Sequence, residues 1–184
     1  MKRLSTVLFL FVLATLPLGA STFVAMDRAE LIANSEAVVQ GTVLKVNSFW
    51  DPSGRMVMTE ALVRVEETIL GDAPSIVRVQ TFGGNVDGFI VEAAGFPEFK
   101  AGQRMVLFLS PEKAGIAKVA GYQFGQFHIR KDKAGIEFAV PALDLGVNVV
   151  TKNGRPFARP QAVRLDTFKD QVRETARRSG RFEN

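Results

Sequence analysis

His128 is the only imidazole in 184 residues, and the chain has no cysteine. These two counts remove much of the chemistry open to a protein of this size. Without cysteine there is no thiolate nucleophile, disulfide, Cys-ligated zinc or iron–sulfur cluster, thioether-linked haem or lipidated N-terminal Cys. With one histidine, no site that needs two imidazoles can form, the H-E-x-x-H zinc proteases included. A Ser-His-acid triad would have to use His128, and no Gly-x-Ser-x-Gly elbow is present. In Gln126-Phe127-His128-Ile129-Arg130 the two-residue period of a strand places Phe127 and Ile129 on one face. His128 then shares the other with Gln126 and Arg130, which reads as a solvent-facing strand rather than a seat for a catalytic base.

Carboxylates are the remaining chemistry. Glu66 and Glu67 are neighbours, so on a strand they point to opposite faces and cannot act together on one substrate. They read as charges that keep a sheet edge soluble. A hydrolase working through acids alone needs two facing carboxyls about 5–9 Å apart, and the sequence places no such pair. The stretch Gly83-Gly84-Asn85-Val86-Asp87-Gly88 could cradle an anion on backbone N–H groups or hold Ca²⁺ through Asn85 and Asp87. It lacks the paired acids and closing Glu of a calcium loop, and no Lys-Ser/Thr follows it as in a P-loop. It therefore reads as a tight turn. Phe89, Phe96 and Phe99 flank it, either closing one end of a core or forming an apolar binding patch.

The elements that must position these residues begin with an export signal. Lys2 and Arg3 precede an apolar run from Leu4 to Leu18, and Gly19-Ala20-Ser21 follows, the order of charged region, apolar region and small-residue cleavage site. The run is shorter than the roughly 20 residues that span a membrane as a helix. Cleavage after Ala20 would leave Ser21-Thr22-Phe23 as the new N-terminus; an uncleaved anchor is the alternative. The expected location is periplasmic or extracellular. Residues 151–184 carry nine Lys/Arg against four Asp/Glu, while residues 21–150 carry twelve against fifteen. The basic pI of about 9.6 thus belongs to the tail rather than the body. Such a tail is either a solvated helix or a contact for lipid headgroups, nucleic acid or an acidic partner.

Asp27-Arg-Ala-Glu30 reads as the capped start of a short helix that turns Leu31 and Ile32 inward. A long strand follows from Ala37 to Trp50, with a bulge expected at Gly41 where the inward face switches. After the turn Asp51-Pro-Ser-Gly54, the next strand sets Val57, Thr59, Ala61, Val63 and Val65 on one face. Further strands are expected over 76–82, 105–109, 116–122, 124–130 and 136–140. Met105-Val-Leu-Phe-Leu109 lacks alternation, as in a strand buried on both sides. After the linker-like Gly154-Arg-Pro-Phe-Ala-Arg-Pro160, a last helix runs to Arg178, with Leu165, Phe168 and Val172 at helical spacing. The divisions are a signal peptide over 1–20, a β domain over 21–150, and a basic linker with C-terminal helix over 151–184.

Ser35-Glu-Ala-Val-Val-Gln-Gly-Thr-Val-Leu-Lys-Val46, the run-out Ala61-Leu-Val-Arg-Val-Glu-Glu-Thr-Ile-Leu-Gly-Asp72, and Phe99-Lys-Ala-Gly-Gln-Arg-Met-Val-Leu-Phe-Leu109 follow one another in an order that resembles the netrin-like module of tissue inhibitors of metalloproteinases. It is also similar to secreted bacterial proteins of that pattern. The resemblance covers residues 29–122 and implies a five-stranded barrel of the oligonucleotide/oligosaccharide-binding (OB) type. The animal inhibitors chelate zinc with the amine and carbonyl of a disulfide-fixed N-terminal Cys. Here the expected start is Ser21, so no inhibitor residue carries over.

The expected fold is thus mainly β: a small OB-like, netrin-like barrel with a short N-terminal helix and a C-terminal helix. The expected function is that of a secreted, non-enzymatic binding module engaging an exported protease or another protein. Its candidate contacts are Ser21, Thr22, Phe23, Asn85, Asp87, Phe89, Phe96 and Phe99. The alternative is an envelope-associated structural protein that touches the membrane surface through its basic helix. No cofactor or metal is expected. Trp50, Tyr122, Phe124 and Phe127 are the aromatics that could stack on bases, but the body is net negative and export removes nucleic acid from reach, so no nucleic-acid partner is expected.

Overall fold

A computed structural model describes residues 22–110, 114–143, 148–155 and 157–181. In chain order the elements are β1 (Thr22–Val24), α1 (Arg28–Ala33), β2 (Ala37–Trp50), β3 (Val57–Leu70), β4 (Ile76–Phe82), β5 (Gly84–Val86), β6 (Phe89–Val91), β7 (Arg104–Leu109), a 3-10 turn (Tyr122–Gly125), β8 (Gln126–Lys131), β9 (Glu137–Pro141), β10 (Asn148–Val150), β11 (Val163–Arg164) and α2 (Leu165–Arg178). The mainly β fold with a short helix before the sheet and a longer one after it is the architecture the sequence leads one to expect. The signal segment and Ser21 lie outside the described residues. No helix among the described residues is long and apolar enough to cross a membrane.

Seven strands form one antiparallel sheet in the order β11-β9-β8-β7-β2-β3-β4. It does not close into a continuous barrel. The segment expected as a strand over 116–122 instead touches β4 and β7 through single bridges, Val79 with Ala117 and Leu109 with Val119. Ala117 N donates to Arg78 O and Ala117 O accepts from Gln80 N, both at 2.9 Å, while Ala120 N donates to Phe108 O at 2.8 Å. One short segment thus reaches two strands that stand three places apart in the sheet order, so the sheet must curl toward itself. The segment stops short of a full strand because Gly121 and Tyr122 take φ of +64° and +56°, outside extended conformation. The strand expected from Phe124 accordingly begins only at Gln126.

Each sheet face buries its own cluster. Val39, Val43, Ala61, Val63, Val77, Val79, Met105 and Leu107 line the concave side, which Phe99, Ala117 and Val119 cover. On the other side, Val38, Ile69, Val106 and Phe108 meet Leu31 and Ile32 of α1 and Leu165, Phe168, Val172 and Ala176 of α2. β7 feeds both clusters, which accounts for its unbroken apolar run. At about 1.5–3 kcal/mol for each fully buried Val, Leu or Phe, the five buried residues of this strand, Met105 to Leu109, contribute heavily to stability.

α1 is fixed by the anticipated capping box. Glu30 N donates to Asp27 Oδ1 at 2.9 Å, and Asp27 N donates to Glu30 Oε2 at 3.1 Å. The β2–β3 pairing slips at Gln40/Gly41, as expected, and also at Val38/Val39 and Val43/Lys45. The first slip leaves Glu66 as the extra residue of β3. A Cβ on Gly41 would lie 2.5 Å from Arg64 O, so glycine is what lets β3 bulge there. The inward face of β2, however, switches at Leu44 rather than Gly41: Val39 and Val43 face the concave cluster, and beyond the slip Val46 does.

The basic C-terminal helix is not a free, solvated element. Its apolar face is part of the core, and its charged flank is tied to β3. Lys169 Nζ and Arg173 Nη2 reach the two oxygens of Glu67 at 2.6 and 2.7 Å. Arg28 lies 5.5 Å from the Phe168 ring centroid, a cation–π contact from α1, and Arg181 donates to Ser35 O at 2.6 Å.

Candidate functional site

Two hairpins converge at one end of the sheet. The first is the turn between β2 and β3, organised by a single carboxylate. Asp51 Oδ2 accepts from Ser53 Oγ at 2.6 Å, and Oδ1 accepts from the N–H groups of Arg55 and Met56, both at 2.8 Å. The Ser53 hydroxyl and these backbone donors hold the Asp51 carboxyl down at about 2. Locking the turn leaves Trp50 and Met56 projecting beside it, 42% and 46% exposed.

The second hairpin pairs β5 with β6 through Asp87-Gly88, whose φ values are +51° and +87°. Positive φ at both central residues is the two-residue turn that matches strand twist and that Asp-Gly favours. Asn85 Oδ1 accepts from Gly88 N at 3.0 Å, so its side chain serves the turn, and Asp87 is exposed. This hairpin presents Phe89 and Ile90, 56% and 66% exposed.

A directed chain of hydrogen bonds seats the second hairpin on the first. Thr59 Oγ1 donates to Gly83 O at 2.6 Å. Its one hydrogen is thereby taken, so in the 2.8 Å contact with Ser48 Oγ the serine is the donor. Asn85 N donates to Ser48 Oγ at 3.3 Å. A Cβ on Gly84 would sit 2.2 Å from Thr59 Oγ1 and 2.3 Å from Ser48 Oγ, which is why the approach to this hairpin is glycine.

Seated this way, the tips touch. Trp50 and Phe89 have ring centroids 5.2 Å apart, and with Met56, Phe82 and Phe96 they border an open apolar cleft of about 510 Å³. The aromatic row continues inward by edge-to-face contacts: Phe82 with Phe96 at 5.1 Å, Phe96 with Tyr122 at 4.9 Å, and Tyr122 with Phe23 at 5.9 Å.

The candidate residues therefore separate. Phe89 is a surface contact and Phe96 lies half-buried at the back of the cleft. Phe99 belongs to the concave core. Thr22 and Phe23 sit in β1, paired in parallel with β10, and the Phe23 ring lies against the α-carbon of Gly95, where a Cβ would be 2.5 Å from it. Sequence reasoning did not single out Met56 or Ile90, and considered Trp50 and Tyr122 only as stacking platforms. The available signal was the position of Trp50, Met56, Phe89 and Ile90 next to two strong turn motifs, where an apolar side chain has no core to enter. Phe124 and Phe127 belong to the cluster under α2.

His128 is not solvent-facing with its neighbours as expected. Gln126 is buried and its Nε2 donates to Glu98 O at 2.7 Å, because the loop between β6 and β7 lies over this end of β8. His128 is half-buried, its Nδ1 is enclosed with no hydrogen-bond partner among the described residues, and burial, with Arg130 nearby, holds the imidazole below its ordinary value. Glu66 and Glu67 do not point to opposite faces as expected. The bulge leaves Glu66 beside Gln40, Thr42 and Arg104, on the face that carries Val38 and Val106. Glu67, in register with Gln40, meets α2 on that same face. Both are structural rather than edge charges: Glu67 meets α2, while Glu66 accepts from Gln40 at 2.9 Å, Thr42 at 2.5 Å and Arg104 at 3.0 Å. Among the described residues, no group of three or more His, Asp or Glu could hold a metal ion.

No protein-family model matches this chain, and no curated protein matches it.

Proposed function

We propose that this chain is an exported, non-enzymatic binding module of the netrin-like type that grips a protein partner with its two hairpin tips. The observation that carries the reading is the contact of Trp50 with Phe89, flanked by exposed Met56 and Ile90. Aromatic and Met side chains are the residues that interfaces enrich, and here they sit on rigid turns that lose little entropy on docking. The N-terminal leader supports export, and an exported protease is the first partner to seek, given the resemblance.

The alternative, docking of the basic helix on an anionic envelope surface, has less to work with. An interfacial helix inserts an apolar face, and that of α2 lies against Phe108 and Phe127. Deleting residues 160–184 would open that core, so the tail is better tested by Arg177→Gln with Arg178→Gln. The experiment is capture from the exported fraction on immobilised protein, with identification by mass spectrometry. A protein retained by the native chain and the tail variant, but lost with Trp50→Ala/Phe89→Ala, supports the reading. Retention of lipid or envelope components alone, abolished by the tail variant, would overturn it.

A further inference from the structure

In the second hairpin, β5 is the strand set against β2 and β3, and β6 forms the edge turned away from the body of the molecule. Asn85 N donates to Ser48 Oγ at 3.3 Å, and Gly84 passes so close to Ser48 and Thr59 that a Cβ would meet their hydroxyls. The bonding along the hairpin follows from its two-residue turn. Val86 and Phe89 flank that turn as a hydrogen-bonded pair, so the next pair, Asn85 with Ile90, is not bonded across the hairpin. The N–H and C=O of Asn85 and of Ile90 therefore point outward, on opposite edges. Asn85 spends its N–H on Ser48. The N–H and C=O of Ile90 have no hydrogen-bond partner among the described residues. Its side chain, 66% exposed, is also the most exposed large apolar one among them.

A free strand edge is a template for another strand, and folded proteins blunt such edges by shortness, Lys, Pro or bulges. β6 is three residues long, but Phe89-Ile90-Val91 is apolar throughout and has none of the other devices. An open N–H and C=O on one residue fit a facing residue that offers the same two groups in reverse. Ile90 of a second copy does so: across a two-fold axis at this residue, each N–H meets the other C=O. In that register Phe89 faces Val91 of the second copy and Gly88 faces Glu92, so no two carboxylates stand opposite. Because β5 lies between β6 and the body, the joined sheet sets the two bodies at its opposite ends, clear of each other.

We propose that β6 is the contact between two copies of this chain, which pair antiparallel about Ile90 into a symmetric, weak dimer. Phe89 and Val91 both line the apolar cleft, and facing residues in a ladder share a side. The joined sheet therefore brings the two Phe89–Trp50 contacts to one side. This goes beyond the partner-binding reading, since it rests on unpaired backbone rather than on the exposed rings.

The test is sedimentation equilibrium of the chain purified from the exported fraction, from about 10 µM to 1 mM. The average mass should rise with concentration from that of one chain toward that of two. Ile90→Pro removes an N–H that the hairpin does not use, a change that strand edges tolerate, and should weaken association about tenfold or more. Ile90→Lys, which sets like charges opposite each other, should do the same, so the expectation stands even where the proline variant folds poorly. Ile90→Val keeps the backbone groups and should associate as the native chain does. Trp50→Ala, which removes a partner contact instead, should also associate normally, so the two readings fail separately. In a mixture of ¹³C-labelled and unlabelled chain, the α-protons of Phe89 and Val91 should show a nuclear Overhauser effect between copies. A chain that stays monomeric across this range, or association unchanged in both Ile90→Pro and Ile90→Lys, would overturn the proposal. So would a monomeric chain whose capture of a partner is lost in Ile90→Pro, a result that gives the edge to a strand of the partner.

Discussion

The indole of Trp50 and the ring of Phe89 stand 5.2 Å apart between centroids, tilted by 36°, although their hairpins belong to different sheets. The two residues lie on turns that each satisfy their own polar groups locally, through Asp51 in one and Asn85 in the other. The contact is thus presented by rigid pieces, and what holds those pieces together becomes testable.

Gly84→Ala should unseat the second hairpin. The added methyl would occupy the space of the Ser48 and Thr59 hydroxyls, at a φ of +137° that L side chains rarely adopt. A loss of about 1–3 kcal/mol is expected from strain and overpacking together, read as a lower urea midpoint. Trp50 is the only tryptophan, so its fluorescence in the folded variant should also change. Gly88→Ala has open space around its Cβ and should cost less.

Glu66 should set part of the acid stability. Burial raises its carboxyl, but hydrogen bonds from Thr42, Gln40 and Arg104, with the charge of Arg104, outweigh burial and bring it from 4.5 to about 2. A carboxyl depressed in the folded state contributes stability that is fully present above its unfolded value, and that contribution is lost as pH falls from about 4.5 toward 2. Glu66→Gln should therefore be less stable than the native chain at pH 7 by about 1–2 kcal/mol. The gap should narrow on acidification, in urea titrations at pH 7, 4 and 3. A gap that stayed constant would contradict the assignment.

Phe168→Ala should cost about 3–5 kcal/mol, the usual loss for a buried phenylalanine. Its ring is 4.6 Å from Phe127 and 6.5 Å from Phe108, so the cavity would open in the middle of the cluster under α2. Lys169→Ala and Arg173→Ala together should cost much less, because partly exposed ion pairs contribute little. Thermal unfolding of the three chains orders these effects.

Much of this fold is legible in local pattern. The capping box at Asp27 and Glu30, the bounds of β2 and β4, and the two-sided burial of β7 all follow from propensity and period, because each is settled by residues near in sequence. What the pattern misreads depends on distant chain. The 116–122 segment alternates like a strand, yet positive φ at Gly121 and Tyr122 and a position between β4 and β7 reduce it to bridges. Gln126 and His128 look solvent-facing until the loop around Glu98 is laid over them. Leu44 takes the face switch expected at Gly41, since the bulge there expels Glu66 from β3 instead of turning β2 over. Of the candidate contacts, Phe89 reads correctly as surface because a turn motif precedes it. Phe99 sits only ten residues further on and is core, a difference fixed by chain return and not by composition.

The most direct measurement is amide hydrogen exchange across the chain with and without the captured protein. The account predicts slowed exchange over residues 50–57 and 83–92, abolished in Trp50→Ala/Phe89→Ala at the same protein concentrations, with α2 unchanged. Protection confined to residues 165–178, or protection of the tips that survives loss of both aromatic rings, would contradict it.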